Sequence, residues 1–489
     1  MRADTNGKSS SALLLLASAA TAALGIALAR GWEPGIGGEW VWRRNDLPAH
    51  LWWPLTIGLA LAALSALLCR RGLWESMTCA RRIISLAALV LIVFALQIAL
   101  LNAVGIPWVA PGVYIISPNT TTYFSVSLGV QSPGDWIARY PDLLPTLPYH
   151  AATHPPGLVL FFWLVRKVAA IMPLHGPSPI LDVLVALGDK LGMPLTPADA
   201  LAAIVSAVLI ALIGALGLIP LYLLTRSLTS DHTAICATCL AGSMPGLLLL
   251  GASPDLIVMT LAIAALCRGY SGYRGSAVSG LLAGVVVAAG LFLSLAFALV
   301  VVWASLWLAV GIARSPDRPG AVRRALRVAL LSVVSFGVVY LALYFIWGYR
   351  PIATALQALS AHRGVTTVEA ARTYWKWVLM NPVECAIFAG IPLVAAAFWS
   401  LTHLRRPQNA RLASFLMSWL VLCALINLSG AVRGEVGRIW LFLLWPPAVA
   451  AGAFVAGRRD AGRTAGLLVL LQVAQAILMK GYLTIYSIL

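Results

Sequence analysis

The chain has 489 residues, of which 61% are hydrophobic and only 10% charged, and its mean hydropathy is +0.90. That balance excludes a soluble globular protein, because apolar runs of roughly 18 residues or more recur from end to end and mark transmembrane helices. The net charge of +17 would suggest nucleic acid in a soluble chain, but here the arginines lie in short loops between apolar runs, where they set orientation, so no nucleic-acid partner is expected.

In chain order, the first apolar segment, Leu13–Leu28, follows Arg2 and Lys8 as a signal peptide would. The stretch after it, ALARGWEPG, lacks a small-residue cleavage site, so the segment is read as a first span over about 11–30. A second span (51–69) leads to CRRGLWESMTCARR, whose arginines make that loop cytoplasmic. The third span (83–104) then ends outside. Later basic loops at Arg226, Arg268 and Arg274, Arg314–Arg327, Arg405–Arg411 and Arg458–Arg463 are cytoplasmic by the same rule. Spans between them fit 199–224, 233–252, 255–268, 276–293, 294–313, 326–348, 384–402, 411–428, 439–456 and 464–482. The expectation is an all-α polytopic membrane protein with about thirteen transmembrane helices and a cytoplasmic amino terminus. Its lysines number only five against many arginines, which hints at a GC-rich bacterial genome and hence the bacterial inner membrane.

Parity then constrains the region 105–198. It starts outside, and the next span must also start outside to deliver Arg226 to the cytoplasm, so the crossings within it are even in number. One apolar run there, Pro156–Pro173, is long enough to span, but it carries Arg166 and Lys167 near its middle. It is expected to lie flat at the outer interface or to dip in and back; the alternative is a true span with one later helix miscounted. On the flat reading, 105–198 is one outer domain. Further outer loops fall at 349–384 and 429–438, and no repeat or soluble domain is evident.

The seven cysteines lie in or beside spans, and Cys236 and Cys239 form a CxxC within TAICATCLAGSM. Close helix packing explains them better than redox chemistry or zinc, and no metal site is expected.

The outer face collects most of the acids, including Glu33, Glu39, Asp46, Asp135, Asp142, Glu369 and Glu384, and solvation explains most of them. Asp255 differs, because LLLLGASPDLIVMTLAIAAL surrounds it with apolar residues. Ser253 as N-cap and Pro254 at the first position make a sound helix start, yet a carboxylate so placed is costly and suggests function. A similar start follows YHAATHPPG, with Thr153 or His154 capping and Pro155–Pro156 opening the helix. Its free N–H groups suit a phosphate, and His150 and His154 stand beside it. Arg438, with Glu435 in SGAVRGEVGR, can fork onto phosphate oxygens. The stretch HRGVTTVEAARTYWKWVLMNP adds His362, Arg363, Arg372, Tyr374 and Lys376, a basic and aromatic strip that interfacial anchoring also explains.

THPPGLVLFFWL (153–164) and SPDLIVMTLAIAAL (253–266) resemble motifs of the multispanning C-type (GT-C) glycosyltransferases, the group that includes protein mannosyltransferases and aminoarabinose transferases. The first is similar to the Lys/His-Pro-Pro motif that closes their outer catalytic loop, the second to the acid opening the span after the second catalytic loop. The resemblance implies a catalytic core over 83–348, preceded by two extra helices in 1–82 and followed by C-terminal spans in 349–489. It implies a polyprenyl-phosphate sugar as donor, membrane lipids as surroundings, and no separate cofactor. It puts His154 in the place of a phosphate-contacting lysine and Asp255 in that of the second acid. One departure stands out. Where the group carries its leading base, followed by aromatics, this chain reads SPNTTTYFSVS, with Asn119 ahead of Tyr123. An amide cannot take a proton, so either Asp135, Asp142 or Asp255 supplies the base, or the chain no longer catalyses transfer. The expected activity is an inverting transfer of a sugar to an acceptor hydroxyl outside the cytoplasm. The alternatives are a transporter or lipid flippase, and a non-catalytic descendant of the enzyme.

Overall fold

The computed structural model describes residues 5–485 apart from 32–38, 40–42, 46, 48, 174–175, 370–371 and 402–409. Glu33, Asp46, Arg405 and the side chains of Arg363 and Glu369 therefore lie outside the described residues. The protein is an all-α polytopic membrane protein. Its first part comprises α1 (Thr5–Arg30), α2 (Trp52–Leu68), the short α3 (Leu73–Ser76) and α4 (Cys79–Leu101). A layer of short helices follows: α5 (Val109–Ile116), α6 (Tyr123–Leu128), α7 (Pro133–Leu143), α8 (Tyr149–Ala152), α9 (Gly157–Ala170) and α10 (Pro179–Lys190). Then come α11 (Pro197–Leu216), α12 (Leu218–Leu228), α13 (Asp231–Gly242), α14 (Pro245–Leu249), α15 (Asp255–Tyr273), α16 (Ala277–Leu293), α17 (Ala298–Ala313) and α18 (Arg318–Trp347). The last part holds α19 (Pro351–Glu369), α20 (Tyr374–Ala389), α21 (Ile391–Leu401), α22 (Ala410–Ser429), α23 (Val436–Ile439), α24 (Pro446–Ala456) and α25 (Ala461–Tyr482).

Among the described residues, eight helices are long and apolar enough to cross a membrane, nine if α20 and α21, bent by 107° at their junction, count as one span. Three shorter apolar helices and the broken α13–α14 pair run beside them, and these account for the larger number of about thirteen expected from the sequence.

Helix ends sort onto two faces. On one, Arg82 of α4 and Arg226 of α12 both pair with Asp231 of α13, and His232 meets the Cys69 carbonyl at the end of α2. On the other, the His50 amide donates to the Ala103 carbonyl beyond α4, and the Asn45 amide to the Tyr482 carbonyl of α25. The layer α5–α10 covers this second face. Cysteines 236 and 239 are buried in α13, where Ala237 lies against Gly452 of α24 so closely that a Cβ there would sit 2.6 Å away.

The α9 helix lies along the second face. Its 14 residues reach only about 21 Å against a hydrocarbon core of about 30 Å. Gly157, in its first turn, packs against the Phe292 carbonyl at the end of α16. Three turns on, Arg166 pairs with Asp199 in the first turn of α11 at 2.8 Å, and donates to the Ser127 carbonyl. Trp163 donates to the Val130 carbonyl at 3.0 Å. Both ends of α9 thus meet span termini that open on one face.

The interior of the bundle tolerates two helix breaks because buried amides serve the freed backbone groups. Between α13 and α14, Gln472 donates to the Leu240 carbonyl and the Ser243 hydroxyl, and Gln97 to the Leu247 carbonyl. At the α20–α21 bend, Gln475 donates to the Ile387 carbonyl at 2.7 Å and accepts from the Ile391 amide at 3.0 Å. Gly390 makes that bend with φ of +104°, a conformation open to glycine and strained for other residues.

Removing one member of a largely buried ion pair strands the other charge, at about 3 kcal/mol. Arg166→Met or Asp199→Asn is therefore expected to lower the unfolding temperature in detergent, followed by tryptophan fluorescence. The double variant should cost less than the two single losses together.

Candidate functional site

The site lies where the α6–α9 layer meets the start of α15. The polypeptide at His150–Pro156 makes a tight turn because two prolines forbid the helix to continue from α8. Tyr140, fully buried on α7, fixes that turn: its hydroxyl lies 3.0 Å from the Ala151 carbonyl and 2.7 Å from that of His154. From α6, the Thr122 hydroxyl accepts from the Ala151 amide at 3.1 Å. The His154 ring turns back on its own loop, with Nδ1 2.9 Å from the His150 carbonyl and 3.0 Å from the Thr153 hydroxyl. A carbonyl only accepts, so the Nδ1 proton sits there and Nε2 carries the lone pair.

Capping differs from the sequence expectation. The N-cap of α9 is Pro156, with no side-chain cap, because Thr153 and His154 are occupied within their own turn. Likewise the N-cap position of α15 falls on Pro254, and the Ser253 hydroxyl donates to the Asp255 carboxylate at 2.7 Å.

Tyr123, buried at the start of α6, stands edge-on to the His154 ring with centroids 5.5 Å apart, and lies 6.5 Å from His150. Asp255, Arg438, Tyr123 and His154 are mutually within electrostatic reach. Burial, then the Asp255 charge, pushes the Tyr123 hydroxyl well above its usual range. Burial holds His154 below its ordinary value, with Arg438 and His362 of α19 acting in the same sense and Asp255 against them. His150 falls to about 4, through burial and then Arg438 and His154. Both imidazoles are therefore neutral at pH 7.

Arg438 arrives from the opposite half of the chain. Its Nη1 donates to the Thr120 carbonyl at 3.3 Å and its Nη2 to Glu435 at 2.8 Å, leaving three of a guanidinium's five N–H groups outside these bonds. The loop that carries it is underpinned from α20. The Gly434 amide donates to Asn381 at 3.1 Å, the Gly437 amide to the buried Glu384 at 3.0 Å, and Asn381 donates to Asn427 and to the Val432 carbonyl. Glu435 itself adopts the left-handed conformation, φ +56°, which is uncommon for a side chain with a Cβ and marks a constrained position.

The remaining sequence candidates are placed as follows. Asp142 pairs with Arg350 on an exposed flank at 2.5 Å, and Asp135 is exposed in the first turn of α7. Neither carboxylate joins the Asp255 group. Asn119 is exposed in the turn after α5. Arg372 and Tyr374 brace the 429–438 loop instead of facing the group. Arg372 and Arg433 each donate to the other's carbonyl, and Tyr374 donates to the Leu428 carbonyl. Glu39 locks this strap, accepting from Lys376, Thr373 and Trp377, and the bonds from Lys376 and Thr373 hold its carboxyl down at about 2. Tyr140 and Asn381 act on backbone groups distant in the chain and carry no sequence signal, and Glu384, read from the sequence as one of the solvated outer acids, is instead buried in α20 against the Gly437 amide.

Chemically, the arrangement offers one carboxylate, one forked cation, a neutral imidazole and a phenol on one face of the bundle. Among the described residues no three His, Cys, Asp or Glu side chains form a metal-holding group.

The chain is thus an all-α membrane protein with a polar site under a layer of short helices. It is similar to the crystal structure of the Archaeoglobus fulgidus oligosaccharyltransferase with zinc and sulfate, at 14% identity and a TM-score of 0.45, over 87% of this chain and 53% of that one. The apo form of the same protein gives 14% and 0.45 over 81% and 56%. AglB from the same organism, with an inhibitory peptide and a dolichol-phosphate, gives 14% and 0.43 over 88% and 56%. The chain spans about half the length of these structures. At this identity and overlap the likeness assigns the chain neither a family nor a role. No family model and no curated protein matches the chain.

Two outcomes follow from the electrostatics. Asp255 raises the His154 pKa, so Asp255→Asn should lower it further and Arg438→Gln should raise it, read from histidine ring resonances in a pH titration. An imidazole kept neutral adds stability above the unfolded value of 6.5 and loses it as pH falls towards about 4. His150→Gln should accordingly flatten the acid limb of a melting-temperature profile between those two values.

Proposed function

We propose that the protein is a membrane glycosyltransferase that moves a sugar from a polyprenyl-phosphate carrier to an acceptor hydroxyl. The arginine-rich face is taken as cytoplasmic by the positive-inside rule. The site then faces outward from the bacterial inner membrane, and the amino terminus lies in the cytoplasm. The observation that carries the reading is the gathering of Asp255, His154, Tyr123 and Arg438, from three separate parts of the chain, into one electrostatically connected group.

In this reading the carrier's phosphate sits against Arg438 and the uncapped first turn of α9, with His150 and His154 beside it. Asp255 is the base. It takes the proton of the acceptor hydroxyl as that oxygen forms a bond to the anomeric carbon. The bond from that carbon to the phosphate oxygen breaks with its electron pair, and Arg438 stabilises the charge left on the departing phosphate. Attack from the face opposite the leaving group inverts the anomeric centre. The donor is itself the lipid phosphate, so no further cofactor enters. His154, neutral at rest, becomes a cation only when the phosphate charge raises its pKa, which ties its protonation to an occupied site.

Loss of a general base costs about 10²–10⁴ in rate. Asp255→Asn is expected to abolish transfer by reconstituted protein given a polyprenyl-phosphate sugar, while the carrier still binds. Arg438→Lys should cut turnover by roughly tenfold or more through loss of the fork, and Asp142→Asn should leave it near the parent's. Full transfer by Asp255→Asn would overturn the reading.

A further inference from the structure

A cavity of about 850 Å³ opens on the arginine-rich face between α15, α16, α17, α18 and α22. It belongs to the half of α15 remote from Asp255, its lining beginning at Ala265, about 15 Å along the helix. Its walls are small and apolar, among them Gly269, Val287, Ala304 and Val333. Trp307 stacks on Tyr270 at 4.9 Å within the lining.

Its mouth has the opposite character. Arg274, Arg314, Arg324 and Arg411 reach it from four different helix ends. Arg324 lies over the Tyr273 ring at 5.5 Å and touches Asp317 at 3.5 Å. Among the described residues, Arg274, Arg314 and Arg411 make no ion pair. Four cations against one carboxylate leave a surplus of three positive charges at the rim of an apolar cleft. A soluble anion would be held by the rim alone, so the apolar depth calls for a ligand with a tail.

The depth identifies which kind. Along α17 the lining runs from Val300 to Arg314 and along α18 from Arg324 to Phe336, about 21 Å and 18 Å at 1.5 Å per residue. One leaflet contributes about 15 Å of a hydrocarbon core of about 30 Å. The cleft therefore runs through the leaflet on that face to a little past the bilayer middle, deep enough for one acyl chain anchored there. On α18, Leu326, Leu330 and Val334 are exposed along the same helix, so it borders the surrounding lipid.

We propose that this cleft is a binding site for an anionic phospholipid of the leaflet on the arginine-rich face, with the phosphate among Arg274, Arg314 and Arg411 and one acyl chain in the groove. The inference stands apart from the glycosyl-transfer reading, since it uses none of that site's residues.

The test uses the full chain in nanodiscs of equal phosphatidylglycerol and phosphatidylethanolamine, with retained lipid counted by native mass spectrometry. Wild type should keep one phosphatidylglycerol per chain in clear preference to phosphatidylethanolamine. Arg314→Gln/Arg411→Gln should weaken that retention by roughly tenfold or more. Gly269→Leu/Gly311→Leu fills the groove and leaves every arginine in place. A Cβ at either glycine meets nothing within 4 Å, so this variant should fold and yet lose the lipid. Equal retention of both lipids by wild type would overturn the proposal, as would undiminished phosphatidylglycerol in the filled variant. Replacement of the retained lipid by an equal amount of added polyprenyl phosphate would also overturn it.

Discussion

The ion pair between Arg166 and Asp199 decides where the polar layer lies. A guanidinium in the middle of an apolar 14-residue helix has two options: cross the bilayer near its centre, or lie at the edge. The first costs roughly 2.5–3.5 kcal/mol per charge on insertion scales. The second becomes favourable when a carboxylate waits at the edge with its own lone pairs filled. Asp199 is such a partner, because it already accepts from the Thr196 amide at 3.0 Å and the Thr196 hydroxyl at 2.7 Å in a capping box. Arg166 then adds a third contact at 2.8 Å and fixes the α9 axis along the face. His154, in the proline turn ahead of α9, lies within electrostatic reach of Asp255 at the start of α15.

The other half of the site depends on backbone satisfied from a distance. Lipid-facing chain must be helical, but chain inside a bundle can bend where a side-chain amide replaces the lost backbone partner. Gln472 and Gln475, one helical turn apart on α25, each tend a different break. The bend at Gly390 leaves α20 ending beneath the 434–438 loop, where Asn381 and Glu384 receive its amides. Arg438 is therefore held by backbone hydrogen bonds that end on buried side chains, and Thr120 fixes the guanidinium across the gap. Two halves of the chain, over 300 residues apart at Thr120 and Arg438, close on one site.

What could be read in advance was what short-range chemistry writes into the sequence. Asp255 stands out as a lone acid in an apolar run and His154 by its proline pair, and the structure brings the two within electrostatic reach. The parity of crossings favoured a flat segment over 156–173 with a true span as the alternative, and the helix formed there, α9, has 14 residues. What escaped was set by long-range pairing. Asp142 looks as available as Asp255 until Arg350, more than 200 residues on, is found beside it. Arg372 and Tyr374 have the composition of a ligand strip, yet their donors end on the backbone of the loop they brace. Tyr140 carries no motif, and its importance lies in two carbonyls that exist only after the turn has formed.

The state of Arg438 bears on how the proposed reaction would begin. In the resting protein the guanidinium is shared with Glu435, whose side chain is 56% exposed. An ion pair so open to water is worth about 0–1 kcal/mol, so an incoming phosphate that displaces Glu435 gives up little. A phosphate gains more from the same fork, since its oxygens accept two parallel charge-assisted bonds. Asp255 faces no such competition. Its side chain accepts from the Ser253 hydroxyl at 2.7 Å. The two charges thus differ in availability: one is lent to a weak partner until phosphate arrives, and the other makes no ion pair among the described residues. That asymmetry is what a site needs if it is to bind an anion first and accept a proton afterwards.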